Sequence, residues 1–245
     1  MNNLFDFNNI IIKDIDNILN EKKIENKIKY IIEKEDERYL RKPFIRVSQY
    51  IDYSSKYGLG YILNNGLYGF HYNDCTKIIL NPKTNSFFYI PNQKEIKSKD
   101  IVLFNFQNYP NEIKKKVKIL EMFKKCIDEN KNNKDEHMLK DLLKNDDSDY
   151  YSDNEIFPYI QSWWKTEKGI IFRLSNHSFQ LKFKDNSDIF VNIQIDILCF
   201  VNERGINFTF NTNNKINANG YNEMNLKIET FKKILRSLLN EKKNR

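Results

Sequence analysis

The chain has 245 residues, of which 40% are hydrophobic and 14% aromatic, so it can form one large or two small domains and is too apolar for a disordered protein. Its net charge is +7, from 40 basic and 33 acidic residues, and this excess favours an acidic or phosphorylated protein partner. No Arg-rich run or RNA-binding signature accompanies the charge, so we do not expect a nucleic-acid partner.

The N-terminus and the cysteines indicate a cellular compartment. The first residues include several aspartates and lack the basic and apolar regions of a signal peptide, and no apolar run reaches the length of a membrane span. Cys75, Cys126 and Cys199 are scattered and odd in number, which is typical of reduced thiols in the cytoplasm or nucleus. The three histidines lack metal-ligand spacing, so we expect no metal site. We also expect no cofactor and no catalytic residue.

The first predicted element is a helix over residues 14–38, where isoleucines and leucines recur at three- and four-residue spacing. Pro43 ends this region, because proline cannot continue a helix. We expect segment 1–43 to be a linker and a capping helix packed on the next domain. A free coiled-coil arm is the alternative, but the span is short for one.

From residue 44 to residue 90 the pattern changes to period two, which predicts strands with one buried face. The alternating apolar residues include Tyr61, Leu63, Tyr68, Phe70 and Tyr72. Turn residues separate the strands at 64–66 (Asn-Asn-Gly) and 81–82 (Asn-Pro). The sequence therefore predicts an antiparallel meander, which residues 92–106 continue more weakly.

A helix is predicted to follow over residues 111–129, with Asn111 as its N-cap after Pro110. Its apolar face includes Ile113, Val117, Leu120 and Phe123. Residues 131–156 are rich in Asp, Asn and Lys and are predicted to be an acidic linker, with a short helix near its middle as an option.

The pattern then repeats. Residues 174–185 align without gaps with residues 63–74, an offset of 111, and the same offset aligns 189–191 with 78–80 and 199–201 with 88–90. A second terminal helix is predicted near 222–241. The chain is therefore a duplicated unit of several strands plus one helix.

The repeat resembles the tandem polo boxes of the polo-like kinase family. The resemblance rests on residues 52–61 (Asp-Tyr-Ser-Ser-Lys-Tyr-Gly-Leu-Gly-Tyr), on 73–80 and, in the second half, on Trp163, Thr166 and residues 174–176. It implies an α+β fold of two six-stranded antiparallel sheets, each followed by a helix, packed as a sandwich with an N-terminal capping helix. The expected domains are 1–43 (cap and linker), 44–130 (first box), 131–156 (linker) and 157–245 (second box).

The resemblance also implies a cleft between the boxes that binds a Ser-phosphoSer/Thr peptide. An aromatic wall on the first box, a tryptophan in the family, corresponds to Tyr50, followed by Ile51 and Asp52, whose backbone could pair with an extended peptide. The family places a cleft arginine at the position of Lys165.

The second box departs from the family at the phosphate. In the family, an Asp-His-Thr-Lys motif supplies a histidine and a lysine that bind the phosphate from two sides, and we call these two residues the pincer. Residues 185–188 of this chain read Asp-Asn-Ser-Asp instead. Asn186 could donate a neutral hydrogen bond, but the negative charge of Asp188 would repel a phosphate that carries about −1.5 to −2. We therefore expect a degenerate pincer. Lys165, together with Lys182 and Lys184 on the preceding strand, could hold a phosphate at a shifted position, or the three could simply be strand residues that face solvent.

A second feature that the resemblance implies is a hydrophobic pocket at Tyr53, Tyr57, Met122 and Phe123, which takes an apolar side chain. The alternative is that these residues are plain core of the first box.

The chain has no Gly-rich loop, His-Arg-Asp motif or Asp-Phe-Gly motif, so we do not expect it to be an enzyme. The first hypothesis is a free-standing targeting module, favoured by Met1 and the predicted cap, that docks onto protein partners in cell division, with or without Ser/Thr phosphorylation. The alternative is the C-terminal regulatory region of a polo-like Ser/Thr kinase, with the kinase domain in cis or in trans. A third is a scaffold that dimerises. By resemblance, the expected locations are the centrosome, spindle pole or kinetochore.

Overall fold

A computed structural model describes residues 45–93, 98–131, 157–192, 197–211 and 222–243. The chain divides into two compact units, the first comprising residues 45–160 and the second containing the residues from 161 onward. The predicted capping segment and the predicted linker lie outside the described residues, except that Lys131 ends a helix.

The first unit is a six-stranded antiparallel meander followed by a helix, as predicted. Each strand pairs with the next one along the chain, and the sheet order is therefore the sequence order. Its elements are β1 (Val47–Tyr53), β2 (Gly58–Leu63), β3 (Tyr68–Tyr72), β4 (Lys77–Asn81), β5 (Ser86–Ile90), β6 (Val102–Asn105) and α1 (Lys114–Lys131). A 3₁₀ turn at Asn111–Ile113 leads into α1.

Strands of the second sheet follow the same order and are followed by a second helix. The elements are β7 (Ile160–Lys165), β8 (Gly169–Leu174), β9 (Ser178–Phe183), β10 (Asp188–Asn192), β11 (Ile197–Val201), β12 (Asn207–Asn211) and α2 (Asn222–Lys243). Both bounds of β8, β10 and β11 lie 111 residues after those of β2, β4 and β5. The duplicated fold of two six-stranded sheets, each with a terminal helix, is thus confirmed.

One face of each helix covers one face of its own sheet. In the first unit, Val117, Leu120 and Phe123 of α1 are buried against a core of strand residues, and in the second unit Ile228 and Phe231 of α2 are buried in the same way. The predicted apolar face of the first helix is confirmed. The predicted N-cap is wrong: Pro110 caps the 3₁₀ turn without a side-chain hydrogen bond, and Asn111 already lies inside the turn.

Two glycines in residues 52–61 are explained by close approach rather than by a turn. A Cβ on Gly58, whose φ is +143°, would lie 2.1 Å from the carbonyl oxygen of His71, and a Cβ on Gly60 would lie 2.5 Å from the ring of Phe123. Gly169, the counterpart of Gly58, would place its Cβ 2.0 Å from a backbone oxygen of Lys182. A larger side chain at these positions would force the neighbouring backbone or buried ring to shift, which is costly in a closely packed interior.

Candidate functional site

The strand that carries the predicted aromatic wall lies at a sheet edge. β1 is the first strand of its sheet and pairs with β2, where Tyr50 lies opposite Tyr61 and Ile51 opposite Gly60. Ile51 packs on the core under α1, and since neighbouring residues of a strand face opposite sides, Tyr50 lies on the other face of the sheet. The Asp52 carboxylate accepts the Ser54 N–H at 2.8 Å and so fixes the turn that follows. An edge strand of this kind can accept an extended peptide by backbone pairing.

The four predicted pocket residues of the first unit differ in burial. Tyr53 and Tyr57 are half-buried against the core that contains Phe123, while Met122 remains 47% exposed on the helix. Burial, together with a hydrogen bond to the Cys126 thiol, raises the pKa of Tyr53. Phe123 itself is buried, and its ring meets those of Tyr68 and Phe70 edge to face. The structure therefore places Phe123 in the core of the first unit, whereas Tyr53, Tyr57 and Met122 are partly or largely exposed.

The degenerate pincer position is occupied by an internal ion pair. Asp188, the first residue of β10, lies directly opposite Lys182 of β9, and the Lys182 ammonium reaches both carboxylate oxygens at 3.2 and 3.4 Å. The Asp188 side chain is only 6% exposed and that of Lys182 14% exposed. The structure thus differs from the expectation of a bare repulsive carboxylate, because a cross-strand lysine neutralises it. The same contact occupies Lys182, which was one of the candidates for a shifted phosphate site.

The remaining predicted site residues of the second unit lie at two hairpin turns. Lys165 ends the edge strand β7 and is exposed. Lys184 and Asn186 are exposed in the turn between β9 and β10, and Asn186 has a φ of +67°. Asparagine tolerates this left-handed conformation better than most residues, which gives Asn186 a structural reason to be there.

A clamp that sequence reasoning missed holds this turn on the helix. Asp185 accepts the backbone N–H of Ser187 at 3.0 Å and its hydroxyl at 2.6 Å, and it forms an ion pair with Lys227 of α2. Burial alone would raise the pKa of Asp185, but the bonds from Lys227 and Ser187 lower it to about 2. The first unit repeats the clamp with Asp74 and Lys116, 2.6 Å apart. The 111-residue offset relates both pairs and could have revealed the clamp.

The sheet face of the first unit away from α1 carries a buried polar cluster. Tyr61, fully buried, accepts the Ile160 N–H at 3.0 Å, and Tyr159 lies beneath the Lys77 ammonium, 5.9 Å from its ring centroid. His71 is 8% exposed, and its Nδ1 atom has no hydrogen-bond partner. Burial, and next the charge of Lys77, lower the pKa of His71 to about 4, so the imidazole is neutral near pH 7.

Within the residues that the structure describes, no group of three or more metal-ligating side chains occurs, and no helix has the length and apolar character to cross a membrane. Cys199 is buried, Cys126 half-buried and Cys75 exposed.

Comparison with a family model identifies the duplicated unit. A model described as the POLO box duplicated region matches residues 55–117 and 166–228, which together make up just over half of the chain. The two matches begin 111 residues apart, as β2 and β8 do.

Curated relatives of the chain include protein kinases. Over 146 residues the chain is 35% identical to the probable serine/threonine-protein kinase CCRP1 of Zea mays, covering 60% of this chain and 22% of the kinase. Over 207 residues it is 27% identical to the serine/threonine-protein kinase polo of Drosophila melanogaster, covering 80% of this chain and 32% of the kinase. The chain therefore spans about a fifth to a third of the length of these relatives.

Among solved structures, the Cdc5 polo-box domain of budding yeast in complex with an Spc72 phosphopeptide is similar to the chain. The TM-score is 0.62 at 17% sequence identity, and the match covers 94% of this chain and 82% of that chain. At this identity the likeness establishes the fold.

Proposed function

The chain belongs to the polo-box family, and we propose that it works as a non-catalytic docking module that recruits protein partners during cell division. Partner binding would use the edge of β1 at Tyr50, Ile51 and Asp52, together with the aromatic surface of Tyr53, Tyr57 and Met122. The first would contribute backbone pairing and the second a site for an apolar side chain. In this proposal the centrosome, spindle pole or kinetochore is the place of action.

The observation that carries this proposal is the ion pair between Lys182 and Asp188. These residues lie opposite each other and are largely buried, so their charges satisfy each other instead of reaching a ligand. Asn186 offers a neutral amide in place of the family's histidine. A neutral hydrogen bond is roughly half as strong as a charge-assisted one, so the usual pincer would contribute little to phosphate binding. Docking would then depend mainly on the first unit.

The alternative proposal is that the chain is the C-terminal regulatory and targeting region of a polo-like Ser/Thr kinase. The observation in its favour is that the relatives above are kinases of which the chain covers a third or less. A transcript that joins this reading frame to an upstream kinase domain would establish it. If this reading frame and a kinase domain are transcribed separately, regulation of a kinase domain in trans would be the remaining form of this alternative.

Affinity purification of the intact chain from mitotic extract, with and without phosphatase treatment, tests the docking proposal. We expect a specific set of centrosome or kinetochore proteins to bind, and the variant Tyr57→Ala with Met122→Ala to lose most of them. The control is Val102→Ala on the far edge strand β6, where the side chain is 43% exposed. Equal recovery with the wild type and the pocket variant would overturn the role of this surface.

A further inference from the structure

Two exposed lysines lie directly opposite each other at the end of the second sheet. The Lys184 N–H donates to the Lys168 carbonyl oxygen at 3.1 Å, next to the pair formed by Gly169 and Phe183. Directly opposite residues of antiparallel strands project their side chains from the same face, with Cβ atoms about 5 Å apart. Both side chains are exposed, and neither forms an ion pair with another residue that the structure describes.

The first unit shows that the fold does not require these lysines. The corresponding residues there are Tyr57 and Asn73, joined by the same backbone bond at 2.9 Å. The Asn73 side-chain amide donates to the Ser54 carbonyl oxygen, so its role there is local. In the second unit the same backbone geometry carries two like charges, and like charges directly opposite on a sheet are destabilising. A bound anion would remove this repulsion.

Charges nearby leave this pair with a surplus of positive charge. The carboxylate of Asp185 is paired with Lys227, and that of Asp188 with Lys182. Glu167, exposed in the turn beside Lys168, is the remaining carboxylate of the two described turns. The exposed amide of Asn186 lies in the same turn as Lys184 and adds a neutral donor.

We propose that Lys168 and Lys184 form an anion subsite on the second unit that receives a phosphorylated Ser or Thr of a protein partner, displaced from the usual pincer position at Asn186 and Asp188. The inference rests on the proposed function, because the phosphorylated residue belongs to the recruited partner. A phosphoryl group carries about −1.5 to −2 charge and three acceptor oxygens, which two ammonium groups can satisfy together. The site takes up the phosphate by hydrogen bonding and ion pairing alone.

The experiment uses the intact chain and a peptide library with a fixed Ser-phosphoThr pair, together with the same library unphosphorylated. For a sequence selected from the library, fluorescence anisotropy should give roughly tenfold tighter binding of the phosphorylated form, as expected from one or two charge-assisted bonds at an exposed site. The variant K168Q/K184Q should bind both forms with equal affinity. The control K83Q/K118Q removes two exposed lysines of the first unit and should retain the tenfold preference.

The outcomes separate this inference from the docking proposal. A retained phosphate preference in K168Q/K184Q would overturn the subsite, even if the unphosphorylated peptide binds normally. If neither the phosphorylated nor the unphosphorylated peptide binds to the wild type, the docking proposal itself would be overturned. Vesicles containing phosphatidylinositol 4-phosphate are a third ligand. If the wild type binds these vesicles, K168Q/K184Q does not, and the wild type shows no preference for the phosphorylated peptide, the anion bound at this subsite is a lipid headgroup and the proposal is overturned. Thermal unfolding checks folding, and removal of the like-charge pair should leave Tm unchanged or slightly higher.

Discussion

Replacing Asp188 with asparagine should destabilise the second unit by about 3 kcal/mol, because the substitution leaves the Lys182 ammonium unpaired in a site where it is mostly shielded from water. Breaking one side of a buried ion pair typically costs about 3–5 kcal/mol, and the lower end applies here because the two contacts of 3.2 and 3.4 Å are long for charge-assisted bonds. For a protein of this size the expected fall in Tm is roughly 6–12 °C.

Urea unfolding of the wild type, Asp188→Asn, Lys182→Met and the double variant provides the assay. Because the double variant leaves no unpaired charge from the pair, we expect it to be clearly more stable than Asp188→Asn, with a coupling energy of about 1–3 kcal/mol. The cycle isolates the pair from any other contact of Asp188. Two results would refute the ion pair as the reason why Lys182 and Asp188 are unavailable to a phosphate. One is that the effects of the two single changes are additive, and the other is that Asp188→Asn changes the free energy of unfolding by less than about 0.5 kcal/mol.

Two further predictions concern the first unit. Gly60→Ala should lower the free energy of unfolding by about 3 kcal/mol, because the new Cβ would overlap the buried Phe123 ring. Gly66→Ala, which places its Cβ in open space but has a φ of +83°, should lower it by only about 1 kcal/mol. Equal losses in urea unfolding would contradict the packing explanation. The pKa of His71 is about 4 in the folded protein, against an ordinary value of 6.5. As the pH falls, the histidine is therefore protonated in the unfolded chain before it is protonated in the folded one. About 3 kcal/mol of the free energy of unfolding should be lost between about pH 6.5 and about pH 4. His71→Gln should flatten unfolding curves measured across that range, and an unchanged pH slope would show that another group is responsible.

The repeat made much of the fold predictable from sequence. Period-two apolar residues and turn residues located the strands, and the offset of 111 fixed the matching bounds of β2 and β8 or β4 and β10. The alternation and the turn residues are local in sequence, and the offset appears as soon as the two halves of the sequence are aligned, which is why these features could be found. The start of α1 was less predictable: Asn111 has a suitable side chain for an N-cap, but Pro110 leads into a 3₁₀ turn that displaces the expected cap.

The site was harder to predict because its contacts join residues that are distant in sequence or depend on register. Residues 185–188 could be identified as a departure from the family motif, but the neutralisation of Asp188 depends on the pairing register that places Lys182 opposite it. The clamp between Asp185 and Lys227 spans 42 residues. Gly60 lies in the segment that carries the family resemblance, but the reason for a glycine at this position is the Phe123 ring on a helix that follows much later in the chain.

Calorimetric titration of the intact chain can show whether partner docking depends on the usual phosphate pincer. The ligands are one Ser-phosphoThr peptide and its unphosphorylated form. The proteins are the wild type and a triple variant in which Asn186→His and Asp188→Lys restore the family's pincer residues and Lys182→Gln removes the ammonium opposite position 188. The wild-type Kd values for the two peptides should lie within about tenfold of each other, and the variant should widen that gap by roughly tenfold or more. A wild type that already binds the phosphorylated peptide about a hundredfold more tightly would show that the ion pair between Lys182 and Asp188 does not prevent phosphate binding at this position.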